Sequence, residues 1–275
     1  MKRVALIGKP LRRRHSEIMH NAAFREYGVD ARYELREIEP EQVRDFVSLT
    51  RGEDWFGFQI TAPYKQVVME HLDEIDPLTE RIGAVNSVAR LDDGRLEGFN
   101  TDAPGFIRSL EADLDLEVRG KDIAVAGAGG AARAVVNALA AAGANRIVIG
   151  NRTPDRAEGL AREFGRPVEA ATLGEEFERA LAGAQVAVNA TTLGMVDEGV
   201  AFDVHSLPAT AAVYDLVYTP PETRLLREAR LRGLKTANGL GMLITQAEIA
   251  LERWTGIPGA GEVMAAALEA DIGHP

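Results

Sequence analysis

A chain of 275 residues without cysteine cannot use disulfides, thiolate nucleophiles or cysteine-bound metals. Its formal net charge of −11, from 31 basic and 42 acidic residues, argues against general nucleic-acid binding, which requires a basic face. No stretch approaches the roughly 20 apolar residues of a membrane span, and the apolar run Val4–Ile7 is too short for a signal peptide. We therefore expect a cytoplasmic globular protein with no membrane partner.

The first hundred residues alternate strand patterns with helical ones, which indicates a mainly parallel sheet. The residues Asp92-Asp93-Gly94 form a turn sequence typical of a hairpin. Strands are predicted at 4–7, 32–38, 57–60, 85–91 and 95–99, and helices at 16–27, 40–50 and 63–72.

A second unit begins after the charged stretch 113–121. Its order of strands and helices is typical of the doubly wound, Rossmann-type fold. A helix is predicted at 104–114, before this boundary. After it, the pattern predicts helices at 131–142 and 154–164, strands at 122–126, 146–149, 185–189 and 211–216, and a helical tail at 239–270. We therefore predict an α/β protein with two domains.

A glycine-rich loop, Gly127–Arg133, follows a predicted strand and opens a predicted helix. Gly127 would permit a tight turn, while Gly129 and Gly130 would let backbone N–H groups approach a pyrophosphate at the positive end of the helix. The spacing departs slightly from the usual fingerprint, because its third small position falls on Ala132. The strand–loop–helix context favours dinucleotide binding over a glycine-rich corner that binds nothing.

The second strand of this unit is followed by Asn151-Arg152-Thr153, with Arg156 one turn further on. An NAD-binding enzyme usually has Asp or Glu there, against the ribose 2′-hydroxyl. A guanidinium instead binds a 2′-phosphate through paired charge-assisted bonds. The sequence therefore favours NADP over NAD. Alternatively, both arginines are solvated and Thr153 only caps the following helix.

Lys65 and Asp102 follow predicted strands in the first domain, and active sites of open α/β sheets lie beyond the carboxyl ends of strands. Lys65 is predicted in the first turn of the helix 63–72, where the positive helix end would lower its pKa and favour proton transfer. A carboxylate and an ammonium group could orient a substrate hydroxyl and transfer its proton. An ordinary surface lysine and a capping aspartate remain the alternatives.

Other polar residues lie in apolar surroundings. Asn86 and Gln246 could bind a hydroxylated ligand or satisfy local backbone groups. His20 lies on the apolar face of a predicted helix, where a packed core histidine is expected. No histidine has the spacing of metal ligands, so we predict no metal.

Several motifs together resemble the shikimate dehydrogenase family, and the resemblance covers essentially the whole chain. The motifs are Gly8–Leu11 with Ser16 and His20–Asn21, Thr61–Lys65, Gly83–Ser87, Asn100–Asp102, Gly127–Arg133, Asn151–Thr153, Asn189–Thr191, Asp215–Tyr218 and Gly239–Gln246. The resemblance implies an NADP-linked, reversible reduction of 3-dehydroshikimate to shikimate in aromatic amino acid biosynthesis. It implies a small-molecule substrate, and we expect a monomer or homodimer.

The resemblance also implies residue roles. Lys65 and Asp102 match the family's catalytic pair, with Lys65 transferring a proton at the C3 oxygen. Positions that bind substrate are matched by Arg14, Ser16, Gln59, Thr61, Asn86, Asp102, Tyr218 and Gln246. Positions that bind the cofactor are matched by Gly127, Ala128, Gly129, Gly130, Ala131, Asn151, Arg152, Thr153, Arg156, Leu216 and Gly239. Because the family's C-terminal helices return to the first domain, residues 1–102 with 239–275 form the predicted substrate domain, and residues 103–238 the NADP-binding domain.

Three residues depart from the family pattern at the substrate end: Arg14 replaces a serine, Gln59 an asparagine and Glu17 a proline. Arg14 could still bind a carboxylate bidentately, reach a bulkier or differently charged acid, or fill part of the pocket. Gln59 adds a methylene where the ring would pack. A dehydrogenase acting on quinate, an aminated shikimate or another cyclic hydroxy acid is therefore an alternative.

Two other functions would also explain the glycine-rich loop when it is considered by itself. A non-catalytic NADP-binding sensor would keep the loop and lose the acid–base pair, whereas this chain has both Lys65 and Asp102. A domain like that of glutamyl-tRNA reductase is excluded, because its chemistry requires a cysteine nucleophile.

Overall fold

The computed structural model describes residues 1–272. The chain divides into two compact units, each with a six-stranded sheet. The first unit comprises Met1–Asp102 and the described residues from Ile244 onward, and the second comprises Ala103–Leu243. The predicted α/β class with two domains is confirmed.

The first unit has a mixed sheet in which only one strand runs against the others. The strand order is β2-β1-β3-β5-β6-β4, with β5 antiparallel to both of its neighbours, β3 and β6. The predicted hairpin around residues 92–94 is therefore present between β5 and β6. In chain order the elements are β1 (Lys2–Gly8), α1 (His15–Glu26), β2 (Ala31–Glu37), α2 (Val43–Leu49), β3 (Trp55–Ile60), β4 (Glu74–Ile75), α3 (Pro77–Ile82), β5 (Ser87–Arg90) and β6 (Leu96–Phe99).

The segment 63–72 is not the single helix that the sequence predicts. Only Val67–His71 is helical, as a 3-10 helix, and the residues before it form turns. The reason is tertiary: the Tyr64 hydroxyl donates to Ile38 O at 2.6 Å, and Lys65 O accepts from Val85 N at 2.8 Å. The Lys65 carbonyl is thus directed to the neighbouring segment and not along a helix axis. The prediction that a helix dipole acts on Lys65 is therefore wrong.

The second unit has an all-parallel sheet in the order β12-β11-β10-β7-β8-β9, which confirms the doubly wound prediction. The strand order reverses between β7 and β10, and ligands of such sheets bind outside the carboxyl ends of the strands at that point. The elements are α4 (Asp102–Leu114), which enters the unit, then β7 (Asp122–Ala126), α5 (Gly130–Ala141), β8 (Arg146–Asn151), α6 (Pro154–Phe164), β9 (Val168–Thr172), α7 (Glu175–Gly183), β10 (Val186–Asn189), β11 (Ala212–Asp215), α8 (Arg224–Leu231) and β12 (Lys235–Asn238).

The predicted helical tail consists of two helices, α9 (Leu240–Thr255) and α10 (Gly261–Ile272). They are separated by a segment in which Gly256 and Gly259 have φ of +72° and +75°, a conformation that helices do not use. The break between the units lies inside α9, between Leu243 and Ile244. Among residues 1–272, no helix is both long enough and apolar enough to cross a membrane.

The first unit has an aromatic core in which His20 of α1 is fully buried. Its ring is stacked on Tyr33, with centroids 4.6 Å apart, and its centroid lies 5.3 Å from that of Trp254. Neither ring nitrogen has a hydrogen-bond partner within the described chain. Burial lowers the pKa of His20 to about 3. His20 is thus the neutral core residue that the sequence predicts.

We expect this burial to make stability dependent on pH. In the unfolded chain the pKa of histidine is about 6.5, so below that pH the unfolded state binds a proton that folded His20 excludes until about pH 3. The free energy of unfolding should therefore fall with decreasing pH by up to about 1.4 kcal/mol per pH unit from this residue. His20→Phe should flatten the dependence measured by urea unfolding between about pH 7 and pH 5.

The matched control is His205→Phe, because His205 is exposed. That variant should retain the wild-type pH dependence. Equal slopes for wild type and His20→Phe would contradict the assignment of His20 as a neutral core residue.

Candidate functional site

Lys65 and Asp102 form an ion pair in the first unit. Lys65 Nζ donates to Asp102 Oδ2 at 2.8 Å, and the two side chains are 34% and 18% exposed. Lys65 follows β3 and Asp102 follows β6, two strands that run in the same direction on either side of β5. Their carboxyl ends therefore meet at one edge of the sheet. Because α4 begins at Asp102 itself, the capping position before the helix belongs to Thr101.

A buried hydrogen-bonded network lies in the same unit. Asn86 Nδ2 donates to Thr101 Oγ1 at 3.0 Å, and Thr101 Oγ1 lies 3.3 Å from Gln246 Oε1. Gln59 Nε2 donates to Gln246 Oε1 at 3.0 Å, and the Tyr33 hydroxyl donates to Gln59 Oε1 at 2.6 Å. All five side chains are buried. The structure therefore connects Gln59, Asn86 and Gln246, three of the predicted substrate-binding residues.

Tyr33 and Thr101 are the members of this network whose function the sequence does not predict. Tyr33 lies in β2, whose other side chains are largely polar, and a buried tyrosine hydroxyl requires a partner. That requirement is the one signal in the sequence that could have indicated Tyr33, but it does not identify the partner.

The departures Arg14 and Glu17 pair with each other. Arg14 Nε donates to Glu17 Oε2 at 2.7 Å, and the arginine side chain is 73% exposed while the glutamate is 17% exposed. The guanidinium predicted to meet a substrate carboxylate is therefore engaged by a carboxylate of its own helix. Ser16 lies between them on α1 and is partly buried.

Thr61 lies directly beyond β3, and its backbone N–H donates to Ile7 O at 2.9 Å. This bond brings the threonine so close to β1 that a Cβ built on Gly8 would lie 2.3 Å from Thr61 Cγ2. The close approach of Thr61 therefore requires a glycine at position 8, where the first motif begins.

The glycines of the loop in the second unit have two different roles. Gly127 has φ of +112°, and a Cβ there would lie 2.9 Å from Ala190 O. A Cβ on Gly129 or Gly130 would meet nothing within 4 Å. The helix α5 begins at Gly130, so its first backbone N–H groups lack intrahelical partners and lie at its positive end. The loop, including Ala128 and Ala131, fits the pyrophosphate of a dinucleotide.

The predicted 2′-phosphate site lies beyond β8. Arg152 and Arg156 are exposed, and neither forms an ion pair within residues 1–272. Asn151 Nδ2 donates to Thr153 O at 2.8 Å, which holds the corner between β8 and α6. Thr153 precedes α6 without a capping bond from its side chain. Two cationic side chains without carboxylate partners, on the segment after the strand that pairs with β7, fit a phosphorylated ribose.

The turn after β11 carries Leu216 and Tyr218 and is held by Asp215. The Asp215 carboxylate accepts from Asn189 Nδ2 at 2.8 Å, Val217 N at 3.0 Å and Thr223 Oγ1 at 2.7 Å. Burial raises the pKa of Asp215, and these three hydrogen bonds oppose that effect. The sequence includes Asp215 in a motif without predicting this role.

Gly239 contacts the same turn closely. A Cβ on Gly239 would lie 2.1 Å from Leu216 O, so only glycine permits the approach. Within the described residues, no three His, Asp or Glu side chains are grouped so that they could hold a metal ion.

The fold and these sites define a class: a two-domain α/β protein of the dehydrogenase type, with a glycine-rich loop that opens a helix in one unit and a lysine–carboxylate pair in the other. Family models match the chain as the shikimate dehydrogenase substrate binding domain at residues 6–88, as shikimate / quinate 5-dehydrogenase at residues 110–195, and as the shikimate 5′-dehydrogenase C-terminal domain at residues 239–269.

Relatives that match nearly the whole chain agree with these family models. The shikimate dehydrogenase (NADP(+)) of Methanopyrus kandleri is 44% identical over 95% of this chain and 92% of its own length. The crystal structure of shikimate 5-dehydrogenase from Thermus thermophilus in complex with NADP(H) and shikimate is 38% identical, with a TM-score of 0.87 and coverage of 98% of this chain and 99% of that one. Quinate dehydrogenase from Corynebacterium glutamicum in complex with NAD is 31% identical, with a TM-score of 0.89 and coverage of 98% and 99%. The chain belongs to the shikimate dehydrogenase family.

Substitutions at Gly127 and Gly129 should differ in their effects on stability and on NADP binding. Gly127→Ala should lower the free energy of unfolding by about 1–3 kcal/mol, because it combines backbone strain with a clash at Ala190. Gly129→Ala should leave stability within about 0.5 kcal/mol of wild type but weaken NADP binding, because its Cβ enters the space proposed for the phosphates. Urea unfolding and calorimetric titration with NADP would measure the two effects. Unchanged NADP affinity in Gly129→Ala would place the pyrophosphate elsewhere.

Proposed function

We propose that this protein catalyses the NADP-dependent, reversible reduction of 3-dehydroshikimate to shikimate. The observation that carries the proposal is the Lys65–Asp102 ion pair at 2.8 Å, in the same unit as a buried set of amide and hydroxyl groups. The loop and the unpaired arginines of the second unit support NADP as its cofactor. The high identity to the Methanopyrus kandleri enzyme supports the same reaction.

Lys65 and Asp102 can move a proton at one ring oxygen. The Lys65 ammonium donates to Asp102, which balances its charge and orients it. In reduction, Lys65 would give a proton to the C3 oxygen as the ketone becomes a hydroxyl; in oxidation, it would take that proton back. NADP, when bound, supplies the hydride exchange. Because Lys65 is partly exposed, its proton can be restored from solvent.

The remaining residues bind and orient the ligand in this proposal. Substrate would contact Ser16, Thr61, Asn86, Gln246 and Tyr218, while the Arg14 guanidinium would have to exchange Glu17 for a substrate carboxylate. Residues 1–102 with the C-terminal segment would form the substrate domain, and residues 103–238 the NADP-binding domain. Gly127–Ala131, Asn151–Thr153, Arg156, Leu216 and Gly239 would hold the cofactor.

A second candidate substrate is quinate. Arg14 and Gln59 alter the substrate end, and the structure is also similar to the quinate dehydrogenase of Corynebacterium glutamicum. The cytoplasmic location and the monomeric or homodimeric state remain predictions.

Steady-state turnover of shikimate, quinate and 3-aminoshikimate, each with NADP and NAD, tests the proposal. We expect shikimate with NADP to give the highest kcat/KM. Lys65→Met should lower kcat by about 10²–10⁴-fold, because it removes the proton-transfer group. Lys9→Met is the control, since Lys9 is also an ion-paired lysine, bound to Glu39 in the same unit. Measurable NADPH binding without turnover of any acid would favour the sensor.

Arg152→Ala should weaken NADP binding by about 10- to 100-fold, the effect of losing charge-assisted hydrogen bonds. Binding of NAD should not change, because NAD has no 2′-phosphate. The control is Arg162→Ala on α6, the helix that follows Arg152, because Arg162 is already paired with Glu158. Equal losses of NADP and NAD affinity in Arg152→Ala would show that Arg152 does not select the phosphate.

A further inference from the structure

Two connections of the second unit touch at the point where its strand order reverses. The glycine-rich loop follows β7, and Asn189 ends β10, the strand that pairs with β7. A Cβ built on Gly127 would lie 2.9 Å from Ala190 O and 3.1 Å from Thr191 Cγ2. The segment after β10 therefore packs directly against the loop, so the position of one constrains the position of the other.

Asn189 holds the segment after β10 with its whole side-chain amide. Its Oδ1 accepts from Thr191 N at 2.9 Å and from Thr191 Oγ1 at 2.7 Å. Its Nδ2 donates to Leu193 O at 3.2 Å and to Asp215 Oδ1 at 2.8 Å. Both acceptor sites of the oxygen and both N–H groups are thus used. Because Asn189 is fully buried, bulk water does not compete for these bonds.

The Asp215 carboxylate uses its two oxygens for different parts of the fold. Oδ1 accepts from Asn189 Nδ2 and from Val217 N at 3.0 Å, so it binds the segments after β10 and β11. Oδ2 accepts from Thr223 Oγ1 at 2.7 Å, and this hydroxyl accepts in turn from Leu226 N at 3.3 Å in the first turn of α8. One oxygen therefore holds two connections at the edge of the sheet, and the other anchors a helix.

We propose that Asn189 and Asp215 are positioning residues for NADP, which hold the segment 189–193 against Gly127 and so set the shape of the glycine-rich loop. Neither side chain needs to touch the cofactor in this role. The inference rests on the proposed function, because the loop must receive the pyrophosphate. Both residues lie in motifs of the family resemblance but outside the predicted binding positions.

The cost of burying Asp215 favours a positioning role over a purely stabilising one. Asp215 is fully buried, and its three donors are a side-chain amide, a backbone N–H and a hydroxyl, all neutral. Burial raises the pKa of Asp215 although all three bonds favour the charged form. The hydrogen bonds therefore offset the penalty of burying a carboxylate without a large surplus. Such a network selects one arrangement of the connections that it joins.

The test compares the two oxygens of Asp215 by calorimetric titration with NADP. Asn189→Ala removes the side chain bound to Oδ1 and should raise the dissociation constant about five- to twentyfold, because the backbone N–H groups that bind phosphates are displaced. Binding of NAD should weaken by the same factor, since both dinucleotides contain the pyrophosphate. This result would differ from that of Arg152→Ala, which should spare NAD.

Thr223→Val is the matched control, because it removes the hydroxyl bound to Oδ2 of the same carboxylate. It should lower the thermal midpoint, since α8 loses its capping bond, but leave the dissociation constant for NADP within about twofold of wild type. Equal losses of affinity in Asn189→Ala and Thr223→Val, or no loss in Asn189→Ala, would overturn the proposal.

A milder variant covers the case in which Asn189→Ala folds poorly. Thr191→Val keeps the shape of the side chain beside Gly127 but removes the hydroxyl that donates to Asn189. It should raise the dissociation constant for NADP about two- to fivefold. Combined with Asn189→Ala, it should add no further loss, because both changes release the same segment. Unchanged affinity in Thr191→Val, or additive losses in the double variant, would overturn the proposal.

A ligand-free measurement separates this proposal from the proposed function. In nitrogen-15 spectra of the unliganded protein, Asn189→Ala should shift the backbone amide signals of Gly129 and Gly130, whereas Thr223→Val should leave them unchanged. Unshifted signals in Asn189→Ala would overturn the positioning role, whether or not any ring acid is a substrate. Shifted signals together with NADP binding, but without turnover of any acid, would contradict the proposed function and still support the positioning role.

Discussion

The ion pair between Lys65 and Asp102 depends on the direction of two strands. β3 and β6 run the same way on either side of the antiparallel β5, so the residues that follow them meet at one edge although they are 37 positions apart in the chain. The turn at 63–66 also fixes the position of Lys65, because the Lys65 carbonyl accepts a hydrogen bond from Val85 N. The geometry of the ion pair is therefore a property of the sheet.

In the second unit, the carboxyl ends of all strands lie at the same edge of the sheet. All of its strands are parallel, so the segments after β7, β8, β10 and β11 lie along one edge. The glycine loop, the arginine-bearing corner and the turn held by Asp215 occupy those segments. Gly127 serves the packing of the protein against Ala190, whereas Gly129 and Gly130 leave open space. One loop thus combines a glycine that packing requires with two glycines beside open space.

The three residues that depart from the family pattern, Arg14, Glu17 and Gln59, each bind another side chain of the protein. Arg14 and Glu17 neutralise each other one helical turn apart. Gln59 joins Tyr33 to Gln246 inside the core, where a single unpaired amide would be costly. Considered singly, each residue looks like a change of pocket chemistry, but each has a partner within the protein.

By itself the sequence determined the order of most helices and strands, the glycine loop, the position of Arg152 after the second strand and the family resemblance, because local periodicity and short motifs carry that information. It did not reveal β4, α3, β9, α7, α8 or β12. Tertiary structure decided the rest: the turn at Lys65, the partner of Arg14, and the link from Tyr33 to Gln246 through Gln59. Gln59 and Gln246 are 187 positions apart, and no local pattern encodes a bond across that separation.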